Sequence, residues 1–181
     1  MLAKLTFIFI AAFAFCIPAR SQEPCQKTIA EAPAVFKLKL GMTFEQMKSI
    51  LGPAFKFKPK KTGVGSYFVN FIDQPAPNSL PGVRAAYLRF FDHKIYQIEI
   101  FYEDEGKTIR LEDFTTRISP ELGVQNSSWN FKNGTASVDC SEFTIRADAP
   151  LNPRLLMTHT TAEAAFQKSL KDTKKSSKSK S

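Results

Sequence analysis

Leu40-Gly41-Met42-Thr43-Phe44-Glu45-Gln46-Met47-Lys48-Ser49-Ile50-Leu51-Gly52-Pro53 is the stretch that decides the fold. Thr43 is a good N-cap, because its hydroxyl can accept one of the orphan N–H groups of a first helical turn. Gln46, three residues on, completes a capping box, and Met42 ahead of the cap can pack on Met47 as a hydrophobic staple. Phe44, Met47, Ile50 and Leu51 fall on one helical face. Gly52 supplies the left-handed exit and Pro53 forbids continuation. The spacing predicts a short helix over 44–51.

Beyond that helix the apolar period changes from 3.6 to 2, the mark of strands. Phe55–Lys58 alternates, and 65–71 reads as a strand. Asp73–Pro81 holds three prolines and reads as irregular. Arg84–Phe91 and Ile95–Tyr102 predict a hairpin with its turn at Asp92-His93. Ala86, Leu88, Phe90, Tyr96, Ile98, Ile100 and Tyr102 are then expected on the inner face. Glu103–Gly106 breaks the pattern, and Leu111, Phe114 and Ile118 predict a second helix over 109–118, with Ser119-Pro120 and Leu122-Gly123 closing the unit. Trp129–Lys132, Asn133-Gly134 and Thr135–Cys140 predict a second hairpin, since Asn-Gly suits a two-residue turn with both φ positive. Glu142–Asp148 and Arg154–His159 read as further strands, and 162–170 as a frayed helix. Upstream, Val35–Leu40 alternates apolar and basic residues, as a short strand or extended arm would. Helix, strands, helix, strands, without a parallel βαβ rhythm, predicts an α+β fold. The expected form is an antiparallel sheet with short helices packed on one face. Both helices end in Leu-Gly, which hints at two diverged helix-plus-strands units.

The Leu40–Pro53 run resembles the "GMT…LG-P" helix of the small outer-membrane assembly lipoproteins (the SmpA/OmlA family). It is similar also to the repeat unit of secreted β-lactamase inhibitor proteins. The resemblance implies a helix followed by an antiparallel sheet in an envelope or secreted setting. Its residues are cap and core positions, so it implies no active site. The lipid-accepting cysteine box of the lipoproteins is not matched: Cys16 follows Phe13-Ala14-Phe15, with a bulky Phe15 where a small residue is needed.

The N-terminus points the same way. Lys4 precedes an apolar run, Leu5–Ile17, broken only by Thr6, and Ala19 and Ser21 occupy the −3 and −1 positions of a cleavage site. A membrane-spanning helix needs about 20 apolar residues, so residues 1–21 read as a signal peptide. The mature chain is then expected to begin near Gln22 and to work in the periplasm or as a secreted protein. Two cysteines remain, Cys25 and Cys140, and in an oxidising compartment a lone pair reads as a disulfide. Residues 22–167 suit one α+β domain.

The net charge of +8 is unevenly placed. The signal carries Lys4 and Arg20. The segment 168–181 carries six lysines and one aspartate, which leaves the body nearly neutral. A nucleic-acid-binding domain would spread its cations over one face, so no nucleic-acid partner is expected. The tail's composition predicts disorder. Lys171, Lys174, Lys175, Lys178 and Lys180 are candidates for weak contact with an anionic surface.

Catalytic signals are sparse. His93 and His159 do not make the three- or four-ligand set a zinc site needs. No Gly-x-Ser-x-Gly elbow is present, and Glu103-Asp104-Glu105 lacks calcium-loop spacing. No metal and no cofactor is expected. Lys56, Lys58, Lys60 and Lys61 read as a strand edge guarded against aggregation. Asn126-Ser127-Ser128 and Asn133-Gly134-Thr135 match glycosylation sequons. The aromatic residues outnumber what one sheet face can bury, and Tyr87 and Phe91 are the candidates for an exposed binding patch. The expected function is a non-enzymatic secreted or periplasmic binding module that recognises another protein. The alternative is a small extracytoplasmic hydrolase with a site assembled from distant residues.

Overall fold

The computed structural model describes residues 25–52, 57–71, 82–103, 109–149 and 152–178, with side chains through Thr173. The signal segment, the proline-rich 72–81 loop, Phe55, Lys56, most of the acidic turn after Glu103, and Lys180 lie outside the described residues. Seven strands form one antiparallel sheet: β1 (Gly65–Asn70), β2 (Val83–Phe91), β3 (Lys94–Tyr102), β4 (Asn130–Lys132), β5 (Thr135–Asp139), β6 (Phe143–Asp148) and β7 (Arg154–His159). Their order is β1-β2-β3-β7-β6-β5-β4. Two meanders thus join edge to edge where β3 pairs antiparallel with β7. Each follows a helix: α1 (Phe44–Leu51) precedes β1–β3, and α2 (Leu111–Leu122) precedes β4–β7. The fold is α+β, as the sequence predicts.

α1 matches its predicted bounds. The Thr43 hydroxyl accepts from the Gln46 N–H at 3.3 Å, and the Gln46 side-chain Oε1 accepts from the Thr43 N–H at 2.8 Å. Phe44, Met47 and Leu51 are buried. α2 runs a turn past the expected end, because Pro120 sits in the last turn and the left-handed Gly123 closes it. Proline removes one helical hydrogen bond; two further bonds repair the end, Gly123 N–H to the Pro120 carbonyl at 3.3 Å and Val124 N–H to that of Ser119 at 3.0 Å.

Three tight turns have positive φ at both central residues: Phe36-Lys37, Asp92-His93 and Asn133-Gly134. Such turns match the right-handed twist of the strands they join. The first replaces the strand expected at 35–40. Val35 and Leu38 exchange both backbone hydrogen bonds, at 2.9 and 2.8 Å, and the reversal drives Phe36 into the core against Phe71 at 5.2 Å. At Asp92-His93 the hairpin tip meets the 60–64 loop. His93 N–H donates to the Gly63 carbonyl at 3.0 Å, and a Cβ on Gly63 would come within 2.8 Å of the His93 ring.

One face of the sheet carries the core. Register places Leu88, Ile98, Met157, Ile145 and Val138 in one cross-strand row, and Val69, Ala86, Ile100, Leu155, Ala147 and Ala136 in the next. All are buried, and α1 and α2 cover them. The third helix, α3 (Thr160–Lys178), lies on the opposite face, where Phe166 packs on Phe91 and Tyr96 at 5.8 and 5.4 Å. Helices on one face only, as expected from sequence, is therefore corrected to two on one face and one on the other. The disordered tail expected from Lys168 meets a helix that continues to Lys178. Among the described residues, no helix is long and apolar enough to cross a membrane.

Candidate functional site

The predicted disulfide is present. Cys25 and Cys140 are joined with an S–S distance of 2.07 Å across a separation of 115 residues. The leader continues from it along the end of β5 and β6. Ser141 N–H donates to the Cys25 carbonyl at 2.9 Å, the Ser141 hydroxyl to the Lys27 carbonyl at 2.7 Å, and Ile29 N–H to Glu142 Oε2 at 2.7 Å. Beside this seam lies a cleft of about 560 Å³. Leu122, Val138 and Phe143 are among the apolar side chains that line it, and Lys27, Asn130 and Asp139 among the polar ones.

The larger feature is the face of the sheet opposite α1 and α2. Strand alternation sends every second side chain there, and the register sorts them into rows. One row runs Phe68–Tyr87–Glu99–Leu156–Arg146–Ser137–Asn130 across all seven strands. A second runs Asn70–Ala85–Phe101–Arg154–Asp148–Thr135–Lys132. The two meanders differ along these rows. Over β4–β7 the face is mostly polar, and its centre is an ion-pair network. Arg154 bridges Asp148 at 2.8 Å and Glu99 at 2.9 Å, and Arg146 reaches Asp148 at 3.2 Å. Burial works against the Arg154 charge, and the Asp148 and Glu99 carboxylates outweigh it, so the guanidinium stays firmly protonated.

Over β1–β3 the face is aromatic. Phe68 is 59% exposed, the most open large apolar side chain among the described residues. Tyr87 stands directly opposite it, with the Arg89 guanidinium 5.1 Å from the Tyr87 ring centre. Phe101 is half-buried in the adjacent row. A guanidinium over an aromatic face is attractive and also keeps both groups oriented. Interface cores favour this chemistry, being rich in aromatic residues and arginine and poor in lysine and acids.

Of the predicted patch, the structure leaves Tyr87 in this open region and puts Phe91 elsewhere. Both project from the same face of β2, but the Phe91 ring is packed edge-on against Phe166 and serves to anchor α3. Tyr96, expected inside, is also here. A register shift pairs Phe90 with Ile95 and leaves Tyr96 as the extra residue of a bulge, and a bulge re-aims side chains. Tyr96 is buried under α3, and burial raises its phenol above its ordinary pKa, with Glu163 adding to the effect and Arg89 opposing it. Glu163 Oε1 accepts from Gln167 Nε2 at 2.7 Å, while its buried Oε2 has no hydrogen-bond partner among the described residues.

Phe68 and Phe101 were missed by the sequence reading. Strict alternation holds the signal for Phe68: with Tyr67 and Val69 facing the core, Phe68 must face out. His93 is exposed in its turn, and His159 ends β7 opposite Phe143. Among the described residues, no three His, Cys, Asp or Glu side chains converge as metal ligands would. Comparison with protein-family models, with curated proteins and with solved structures finds no match for the chain.

Proposed function

We propose that the chain is exported and acts outside the cytoplasm as a binding module that recognises another protein through the aromatic half of its outer sheet face. The single observation that carries this reading is the exposed Phe68 ring paired across the strands with half-buried Tyr87, over whose ring Arg89 lies. Burying the part of Phe68 still exposed is worth about 1–2 kcal/mol. The fold makes no use of that ring, so its exposure is a cost in water that a partner would remove. The partner suited to this surface carries an apolar patch with carboxylates at its margin, placed to meet Arg89. Export is supported by the basic-apolar-small pattern of residues 1–21 and by the Cys25–Cys140 bond, which persists in an oxidising compartment. The likeness of Leu40–Pro53 to envelope and secreted families fits the same setting.

The test compares three variants in affinity capture from the compartment to which the chain is exported. Wild type and Phe131→Ala, which alters the other exposed ring, retain the same captured protein. Phe68→Ala with Tyr87→Ala loses it. Equal capture by all three excludes this face.

A further inference from the structure

Among the described residues, the bonds and ring contacts named between α3 and the sheet come from its first turns. The Thr160 N–H and hydroxyl both donate to the Glu142 carbonyl at 3.0 Å, and Phe166 seats on Phe91 and Tyr96. From Lys168 onward the described side chains are exposed, apart from half-buried Ser169, and Leu170 stands 42% open. The helix nevertheless continues to Lys178, a further span of about 15 Å at 1.5 Å per residue. Lysines occupy positions 168, 171, 174, 175 and 178. At about 100° per residue these five positions fall within roughly a third of the helix circumference. A composition that reads as a diffuse tail thus places its lysine positions, at helical spacing, on one side of a helix that extends from a nearly neutral body.

We infer that this stripe holds the protein against an anionic phospholipid bilayer. Lysine positions repeated along one side of a helix can face a flat charged plane together. Lysine is a compact point charge that needs no particular acceptor geometry, and polybasic segments adsorb to anionic leaflets additively. Readers of duplex nucleic acid instead present arginine or amide forks to base edges, and residues 168–178 contain no Arg, Asn or Gln. The side of the helix away from the stripe carries Ser169, Leu170, Thr173, Ser176 and Ser177. With one large apolar residue there, the helix lies on the surface electrostatically and does not bury a face as an amphipathic anchor does.

The experiment is co-sedimentation of the purified exported protein with vesicles of phosphatidylcholine, with and without about a third phosphatidylglycerol. The expected result is binding to the anionic vesicles alone, falling at least about tenfold between roughly 50 and 300 mM salt. Replacing Lys168, Lys171, Lys175 and Lys178 together by Gln abolishes it, and replacing them by Arg preserves it. A control with the same loss of charge, Lys48, Lys58, Lys61 and Lys132 to Gln, also preserves it. Circular dichroism on each variant checks that the helix remains. Three results overturn the inference: equal binding to neutral vesicles, equal release by the control set, or displacement from vesicles by a soluble duplex or sulfated polysaccharide at matched charge.

Discussion

The two meanders share one sheet and one core but close over it by different means. The β1–β3 half is built from rings. Tyr67 sits among Phe44, Phe57 and Phe90 at 5.2–5.3 Å, and Phe36 meets Phe71. The β4–β7 half sets buried Ile145, Leu155 and Met157 beside two alanines and a polar link. Ala136 and Ala147 let the chain above approach closely, and Trp129 Nε1 donates to the Ser119 hydroxyl at 2.8 Å, which donates in turn to the Thr115 carbonyl at 2.6 Å. The outer faces repeat the contrast, with open aromatic residues over β1–β3 and a closed ion-pair network over β6, β7 and β3. In the second half Arg146, Asp148, Arg154, Ser119 and Trp129 find their polar partners within the molecule. In the first, the rings beneath the sheet fill the core; of those above it, Phe91 and Tyr96 seat α3, and Phe68 stays open.

The largest effect expected of any change bears on how the second half is tied. The disulfide closes a loop of 115 residues, for which the chain-entropy account gives about 4–5 kcal/mol as an upper figure. Cys25→Ala with Cys140→Ala should lower unfolding free energy towards that limit in a denaturant titration. A loss below about 1 kcal/mol would mean that buried Ala32, Val35, Phe36 and Leu38 hold the leader unaided. Next is Ser119→Ala, which strands a buried indole N–H at a cost of about 1–3 kcal/mol. Adding Trp129→Phe should recover part of that loss, and a double-mutant cycle reads the coupling directly. In the first half a corresponding polar device is the α1 cap, and Thr43→Ala should cost about 1 kcal/mol.

A smaller effect separates the halves by pH. Burial raises the Glu121 carboxyl above its ordinary pKa, with Arg117 opposing the shift. A raised folded-state pKa means that the protonated form is favoured by folding. That contribution is complete below the unfolded carboxylate value of about 4.3 and is lost as pH rises through the folded value. Glu121→Gln should therefore stabilise slightly at neutral pH and not at all near pH 3, the gain being small because the side chain is largely solvated. Melting temperature against pH for the two proteins measures it.

The local grammar of the chain carried much of this fold. Thr43, Gln46, Gly52 and Pro53 set α1 because cap, apolar face and exit all agree within one short segment. Asn133-Gly134 specified its turn for the same reason. Three features were not legible. Phe36 and Lys37 adopt positive φ without glycine, which local propensity disfavours and tertiary burial of Phe36 overrides. The bulge at Tyr96 shifts the side-chain period within an otherwise regular strand, and periodicity carries no mark of an inserted residue. The β3–β7 pairing and the seating of Phe166 on Phe91 join segments far apart in the chain, and alternation says which face a residue takes but not what covers it. Of the candidate site, alternation singles out Tyr87, and the exposure of Phe68 follows only once Tyr67 and Val69 are seen to face the core.

The central claim, that the aromatic half of the outer face is the working surface, is tested most directly by photocrosslinking in the cells that export the protein. A benzophenone side chain is placed at Phe68 and, separately, at Phe131, the exposed ring on the edge of the other half. The account predicts a discrete protein adduct from position 68 and none from 131, with both variants stably folded. A bare chain at 68, or the same adduct from both positions, would contradict it.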